Sequence, residues 1–163
     1  MSALWRQPLP QKGLGKGALY WQSLSEESHK RNLTIMTVQE AIAAAERLLP
    51  GRAAPEDEED ARWQAVIVIS KFIEYAPEAI WPFVLHWGSH EDEDVRAAIA
   101  TCLLEHLLER HFDLLFPRIE TAARSNVWFA KTTALCWKFG QSKDPARAER
   151  FDRLCAEIRR RRG

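Results

Sequence analysis

The chain has 163 residues, enough to bury a substantial core in one domain, and its 23 basic and 23 acidic side chains cancel. Zero net charge excludes a uniform electrostatic pull toward nucleic acid or an anionic membrane. Three cysteines, Cys102, Cys136 and Cys155, with no Cys-x-x-Cys pair exclude a disulfide framework and predict thiols in a reducing compartment, with the cytoplasm as the expected location.

Pro8, Pro10, Gly13, Gly15 and Gly17 break any regular element near the N-terminus, so residues 1–35 are expected to be irregular, with Trp5, Tyr20 and Trp21 able to pin them down. No apolar run is long enough to span a bilayer, and this segment lacks the apolar stretch of a secretory signal. The character changes at Met36, and residues 36–163 are read as one helical domain. Thr37-Val38-Gln39-Glu40 fits a capping box, Val38, Ile42, Ala45 and Leu49 recur at helical spacing, and Pro50-Gly51 stops the helix. After a polar, acidic loop, a second helix is predicted from Asp60 to Ala76. Its Val66–Ile69 run alone would suit a strand. The absence of turn residues around it, and the spacing of Trp63, Ile67, Phe72 and Ile73, favour a helix that is apolar around much of its girth.

A third helix spans Pro77 to Trp87 and is stopped by Gly88. The acidic run Glu91–Asp94 leads into a fourth, Val95 to Glu109, and a fifth follows from Phe112 to Ala123. Ser125-Asn126 caps a sixth, Val127 to Phe139, which Gly140 ends. Asp144-Pro145 then supplies a cap and a first-turn proline for the last helix, Ala146 to Arg160. The expected fold class is all-α, with neighbouring helices joined by short loops into antiparallel hairpins.

The helices carry an internal repeat. Trp81-Pro82 and Phe116-Pro117 lie 35 residues apart, as do Arg96 and Lys131, and in both units the proline precedes the basic residue by 14. Arg62 lies 34 residues before Arg96, which superposes Asp60-Ala61-Arg62 on Asp94-Val95-Arg96. This pattern resembles the HEAT repeat, with Pro82 and Pro117 at the first-helix proline, Asp60 and Asp94 near the acidic place, and Arg62, Arg96 and Lys131 at the basic place of the second helix. The first unit departs from it, having Leu48 where the proline would fall. A rival register pairs Val127-Trp128 with Val95-Arg96 at 32 residues, at the cost of the proline match. The resemblance implies an α-α superhelix of about three hairpins plus a C-terminal helix, stacked because one hairpin cannot bury its apolar face alone. It also implies a ladder of basic side chains between units.

Two groups of side chains are candidate binding residues. Arg62, Arg96 and Lys131 are either that ladder or a cationic stripe on the face lined by the second helices. Trp63, Trp128 and Trp137, also on second helices, are either core residues or anchors for a partner. The segment Asn126–Lys131 resembles a short element of HEAT-like DNA alkylation-repair glycosylases through Trp128 and Lys131 alone, without the aspartate motif that such chemistry needs.

His86 and His90, and His106 and His111, are poorly spaced for metal ligation, and no catalytic motif is present. Arg159–Arg162 suit a helix C-terminus and are expected to fray into solvent. No catalytic residue, metal or cofactor is therefore expected. The expected function is a non-catalytic module that binds a protein partner through the face lined by the second helices. The alternatives are a nucleic-acid-binding or base-repair protein using the same groove, and a bacterial immunity or adaptor protein.

Overall fold

The computed structural model describes residues 36–161, so the expectation for residues 1–35 lies outside the described residues. The unit that begins at Thr37 is all-α, with no strand among the described residues. Helix α1 (Val38–Leu48) opens with the capping box: Thr37 Oγ1 accepts from the Glu40 amide at 3.2 Å, and the Thr37 amide donates to Glu40 Oε2 at 2.7 Å. Its buried side, Ala41, Ile42 and Ala45, follows the predicted spacing.

Helix α2 (Ala61–Ser70) starts from Asp60, which accepts from the Arg62 amide at 2.8 Å. Val66–Ile69 are helical, as the flanking sequence required. The helix nevertheless stops at Ser70, short of the predicted Ala76. The amides of Lys71, Phe72 and Ile73 bond to carbonyls three residues back, which tightens the chain into irregular turns. Four consecutive β-branched residues weaken the helix, and Pro77 forces Ala76 out of helical geometry (φ −139°, ψ 46°).

Helix α3 (Pro77–Gly88) carries Pro82 in its interior, with the ring exposed. It ends at Gly88, within one residue of the predicted stop, and Gly88 is also a packing glycine: a Cβ there would sit 3.0 Å from the Phe129 ring, and the Gly88 carbonyl accepts from Thr132 Oγ1 at 2.6 Å. Helix α4 (Glu93–Ile99) begins at the Asp92 cap and runs through one π-helical turn, Ala100–Leu104, into α5 (Glu105–Ser125). The predicted boundary between the fourth and fifth helices is a kink at His111 (φ −134°, ψ 41°). His111 Nε2 donates to the Ile73 carbonyl at 2.9 Å. The backbone groups freed by the kink are taken by Gln141, whose Oε1 accepts from the Phe112 amide at 3.1 Å and whose Nε2 donates to the Arg110 carbonyl at 2.6 Å.

Helix α6 (Val127–Leu135) starts from Asn126, which accepts from the Trp128 and Phe129 amides at 2.9 and 3.0 Å. It ends before the predicted Phe139 because Cys136 is extended and the next amides find partners elsewhere. Trp137 donates to Glu105 Oε2 at 3.0 Å, and Phe139 donates to Ser142 Oγ at 2.8 Å. A 3₁₀ turn, Gly140–Lys143, follows. Gly140 has φ +46°, and a Cβ there would lie 2.8 Å from the Glu109 carbonyl, so only glycine fits. Helix α7 (Pro145–Arg161) has the predicted Asp144 cap and Pro145 start.

Each helix packs on the helix two places away, and α1 on α2, α3 on α4, α5 on α6 and α6 on α7 also pack as chain neighbours. One layer holds α1, α3, the part of α5 after the kink, and α7. The other holds α2, α4 and α6. The inward positions of the first layer repeat: Trp81, Phe116 and Phe151, and Val84, Ile119 and Leu154, are spaced by 35 residues and all buried. Helix α7 thus occupies the register of a further first helix. Arg118 on α5 forks onto Glu78 of α3 at 2.6 and 3.0 Å, and Arg147 on α7 reaches Asp113 of α5 at 2.6 Å, a carboxylate 35 residues after Glu78.

Candidate functional site

The N-terminal ends of α2, α4 and α6 lie side by side, opened by the caps Asp60, Asp92 and Asn126. Two rungs cross this edge. In the first, Arg62 is only 4% exposed. Its Nη2 bonds to Asp60 Oδ2 at 2.8 Å and also to Asp94 of α4, while its Nη1 donates to the Gly51 carbonyl at 3.4 Å. This guanidinium holds the Asp60 carboxyl down at about 2, against the opposing effect of burial. Trp63 joins the same rung by donating Nε1–H to Asp94 Oδ1 at 3.3 Å.

The second rung begins at Arg96, also 4% exposed. Its Nη1 donates to the carbonyls of His90 and Glu91 at 2.9 and 2.6 Å, so it ties down the loop before its own helix. Its guanidinium lies 4.9 Å from the centre of the Trp128 ring on α6, and the Lys131 ammonium lies 4.1 Å from the same ring. Both separations are cation–π contacts. Among the described residues no carboxylate pairs with Arg96 or Lys131, because Asp92 and Asp94 face Arg62. Arg96 Nε is buried without a hydrogen-bond partner.

The structure therefore brings together Arg62, Trp63, Asp60, Asp94, Arg96, Trp128 and Lys131 among the predicted residues. It uses both arginines inside the protein, so they do not form a free cationic stripe. Trp137 stands apart. It is 74% exposed beyond the end of α6 and lines a 240 Å³ cleft against α7 with Phe151, Asp152 and Cys155. Pro82 and Pro117 lie in the other layer.

Below the rungs the second helices continue the face. Trp63 and Ile67 follow one another on α2, Asp94 and Ala97 on α4, and Trp128, Lys131 and Leu135 on α6, at the three- and four-residue steps of one helix side. Ile67 and Leu135 are 38% and 39% exposed. The sequence names Ile67 only for its helical spacing and does not mark either residue as part of a binding face. The signal was present in the all-round apolarity of both helices, which leaves some apolar side chains uncovered in any helix at the edge of a layer.

The remaining candidates do not gather into a reactive centre. His106 lies 2.7 Å from Glu109 in an open 470 Å³ cleft with Lys71, Glu74 and Arg110, whereas His111 serves the kink. No group of His, Cys, Asp and Glu suited to a metal ion occurs among the described residues. Burial pushes the Cys136 thiol well up, with the nearby Glu105 and Cys155 charges adding to it, and burial likewise raises Cys102 and Cys155. Such thiols lack the thiolate that nucleophilic chemistry requires. The basic C-terminal residues do not all fray: Arg161 donates to the Arg124 carbonyl at 3.1 Å and to Glu157 at 2.5 Å.

No described helix is long and apolar enough to cross a membrane. Neither the curated proteins nor the solved structures contain a match to the chain. A family model matches residues 52–155, which hold both rungs and most of the two helical layers. That span exceeds half of the sequence, and the chain therefore belongs to DUF6869, a family of unknown function.

Proposed function

We propose that the chain is a non-catalytic interaction module of HEAT-like helical hairpins, acting in the cytoplasm, and that it holds a protein partner on the face lined by α2, α4 and α6. The observation that carries this reading is the alignment of Ile67 and Leu135 with the half-buried Trp63 and Trp128 on one side of that layer. Large rigid aromatics beside exposed aliphatics offer contact area at low entropic cost. A nucleic-acid partner suits the face less well. Its arginines are buried in internal bonds, and Glu91, Asp92 and Glu93 stand exposed beside it.

The test is affinity capture from the native host with the intact chain, Ile67→Glu, Trp128→Ala, and Leu85→Glu in the first-helix layer as a control. The expected result is a partner retained by the intact chain and by Leu85→Glu and lost from the other two, with all four proteins folded by circular dichroism. A partner retained equally by all four would show that the face is not the binding surface.

A further inference from the structure

Helices α1, α3 and α5 are each followed by a helix of the second layer, and among the described residues none follows α7. The seam between α6 and α7 is left at the edge of the stack, and it exposes apolar side chains. Val127 is 61% exposed, and Trp137, which the second-helix face does not use, is 74% exposed. Val127 and Ala130 line a 300 Å³ cleft with Ile158 of α7, and Ala134 and Trp137 line the 240 Å³ cleft with Phe151 and Cys155. The start of α6 thus meets the end of α7, and the two clefts follow one another along an antiparallel pair. Val127 and Ala134 are seven residues apart, which is about two helical turns and the anchor spacing of a helix laid in a groove.

Charge distinguishes one end of this seam. Arg124, Arg159, Arg160 and Arg161 are all exposed where α7 ends against the start of α6. Arg124 and Arg161 share Glu157, and among the described residues no carboxylate pairs with Arg159 or Arg160.

We propose that the α6–α7 seam is a docking groove for one amphipathic helix of a protein partner, which fills the two clefts with aliphatic side chains and carries acidic residues in its first turn. The proposal goes beyond the Ile67 and Leu135 face and stands without it. The docked helix lies antiparallel to α7, as α6 does, so its N-terminus meets the arginines. Acidic residues there suit both the guanidinium groups and the helix dipole. A second copy of this chain fits poorly, because Pro145–Arg161 carries six arginines against three acidic residues and two such seams would repel. A nucleic acid would meet the arginines and leave the apolar clefts unfilled.

The experiment is an NMR titration of the full ¹⁵N-labelled chain with an acetylated, amidated helical peptide of about 15 residues. The peptide has leucines along one side and glutamates in its first turn. A version with lysines in place of the glutamates and a short DNA duplex are titrated at the same ionic strength. The expected result is a saturable shift of the Val127 and Ala134 amides and the Trp137 indole N–H with the glutamate peptide. A spin label at the peptide N-terminus should broaden Val127, and one at its C-terminus should broaden Trp137. Val127→Glu and Trp137→Glu should each weaken binding about tenfold or more. Arg159→Glu should weaken it about threefold. Both apolar positions are exposed, so the folds should survive, with circular dichroism as the check; if Trp137→Glu does not fold, Val127→Glu decides. Equal binding of the lysine peptide, tighter binding of the duplex at the same signals, reversed broadening, shifts confined to Ile67 and its neighbours, or no shift would each overturn the proposal.

Discussion

Asp60 does three things with one carboxylate. It caps α2, accepts from the Ala54 amide at 3.2 Å and pairs with the buried Arg62. Its pKa is held at about 2, below the unfolded value of about 3.9, so the folded state binds fewer protons than the unfolded state across that window. The stability it contributes is complete above pH 4 and is lost as the pH falls from about 4 through about 2. Asp60→Asn keeps a capping oxygen but removes the ion pair. The urea midpoint of the variant should be lower than that of the intact chain at pH 7, and the gap should close as the pH approaches 2. A gap that stayed constant would show that the pairing with Arg62 contributes nothing.

Gly88 is a second residue at which magnitudes decide the sign. Alanine in a helix gains about 1 kcal/mol over glycine. Here its methyl group would press on the fully buried Phe129 ring at 3.0 and 3.1 Å, and overpacking costs about 1–3 kcal/mol. Gly88→Ala should therefore lower the thermal midpoint, and a rise would mean that Phe129 moves freely. The thiols give a simpler check. Cys136 is half-buried in the cleft beside Trp137, and burial keeps its thiol protonated, so the native chain should be alkylated there more slowly at pH 8 than the denatured chain; equal rates would contradict this.

Helix starts were more legible in the sequence than helix ends. Thr37, Asp60, Asn126 and Asp144 cap where their chemistry placed them, since a cap acts on amides two or three residues away. The fourth helix departs modestly: its cap is Asp92, so Asp94 lies inside the helix and is free to face Arg62. The end of α2 is set locally, by its β-branched run and Pro77, whereas the end of α6 and the kink in α5 depend on distant groups. Glu105 takes the Trp137 amide from 32 residues away, and Gln141 serves the kink at His111 from about the same distance along the chain. No local pattern announces such partners. Gln141→Ala leaves an amide and a carbonyl at the kink without partners and should destabilise the chain by about 1–3 kcal/mol in a denaturant titration. An unchanged midpoint would mean that water satisfies both groups.

At the scale of the molecule, the 35-residue spacing of the two prolines coincides with the spacing of buried positions in the first-helix layer, which extends to Phe151 and Leu154. The spacing did not transfer to the second helices, whose caps at Asp60, Asp92 and Asn126 fall at intervals of 32 and 34 residues. Lys131 consequently does not occupy the place of Arg96. It shares the Trp128 ring with it, and the 32-residue register set aside on the proline match is the one that joins Arg96 to Trp128. The edge of the second-helix layer thus has one rung closed by a carboxylate and one closed by an indole.

The interaction reading is tested most directly by placing a photo-crosslinking amino acid at Ile67 on the second-helix face and, separately, at Leu85 on the first-helix layer, in the native host. The account predicts a discrete crosslinked protein from position 67 and none from position 85. The same product from both positions, or a product from position 85 alone, would contradict it.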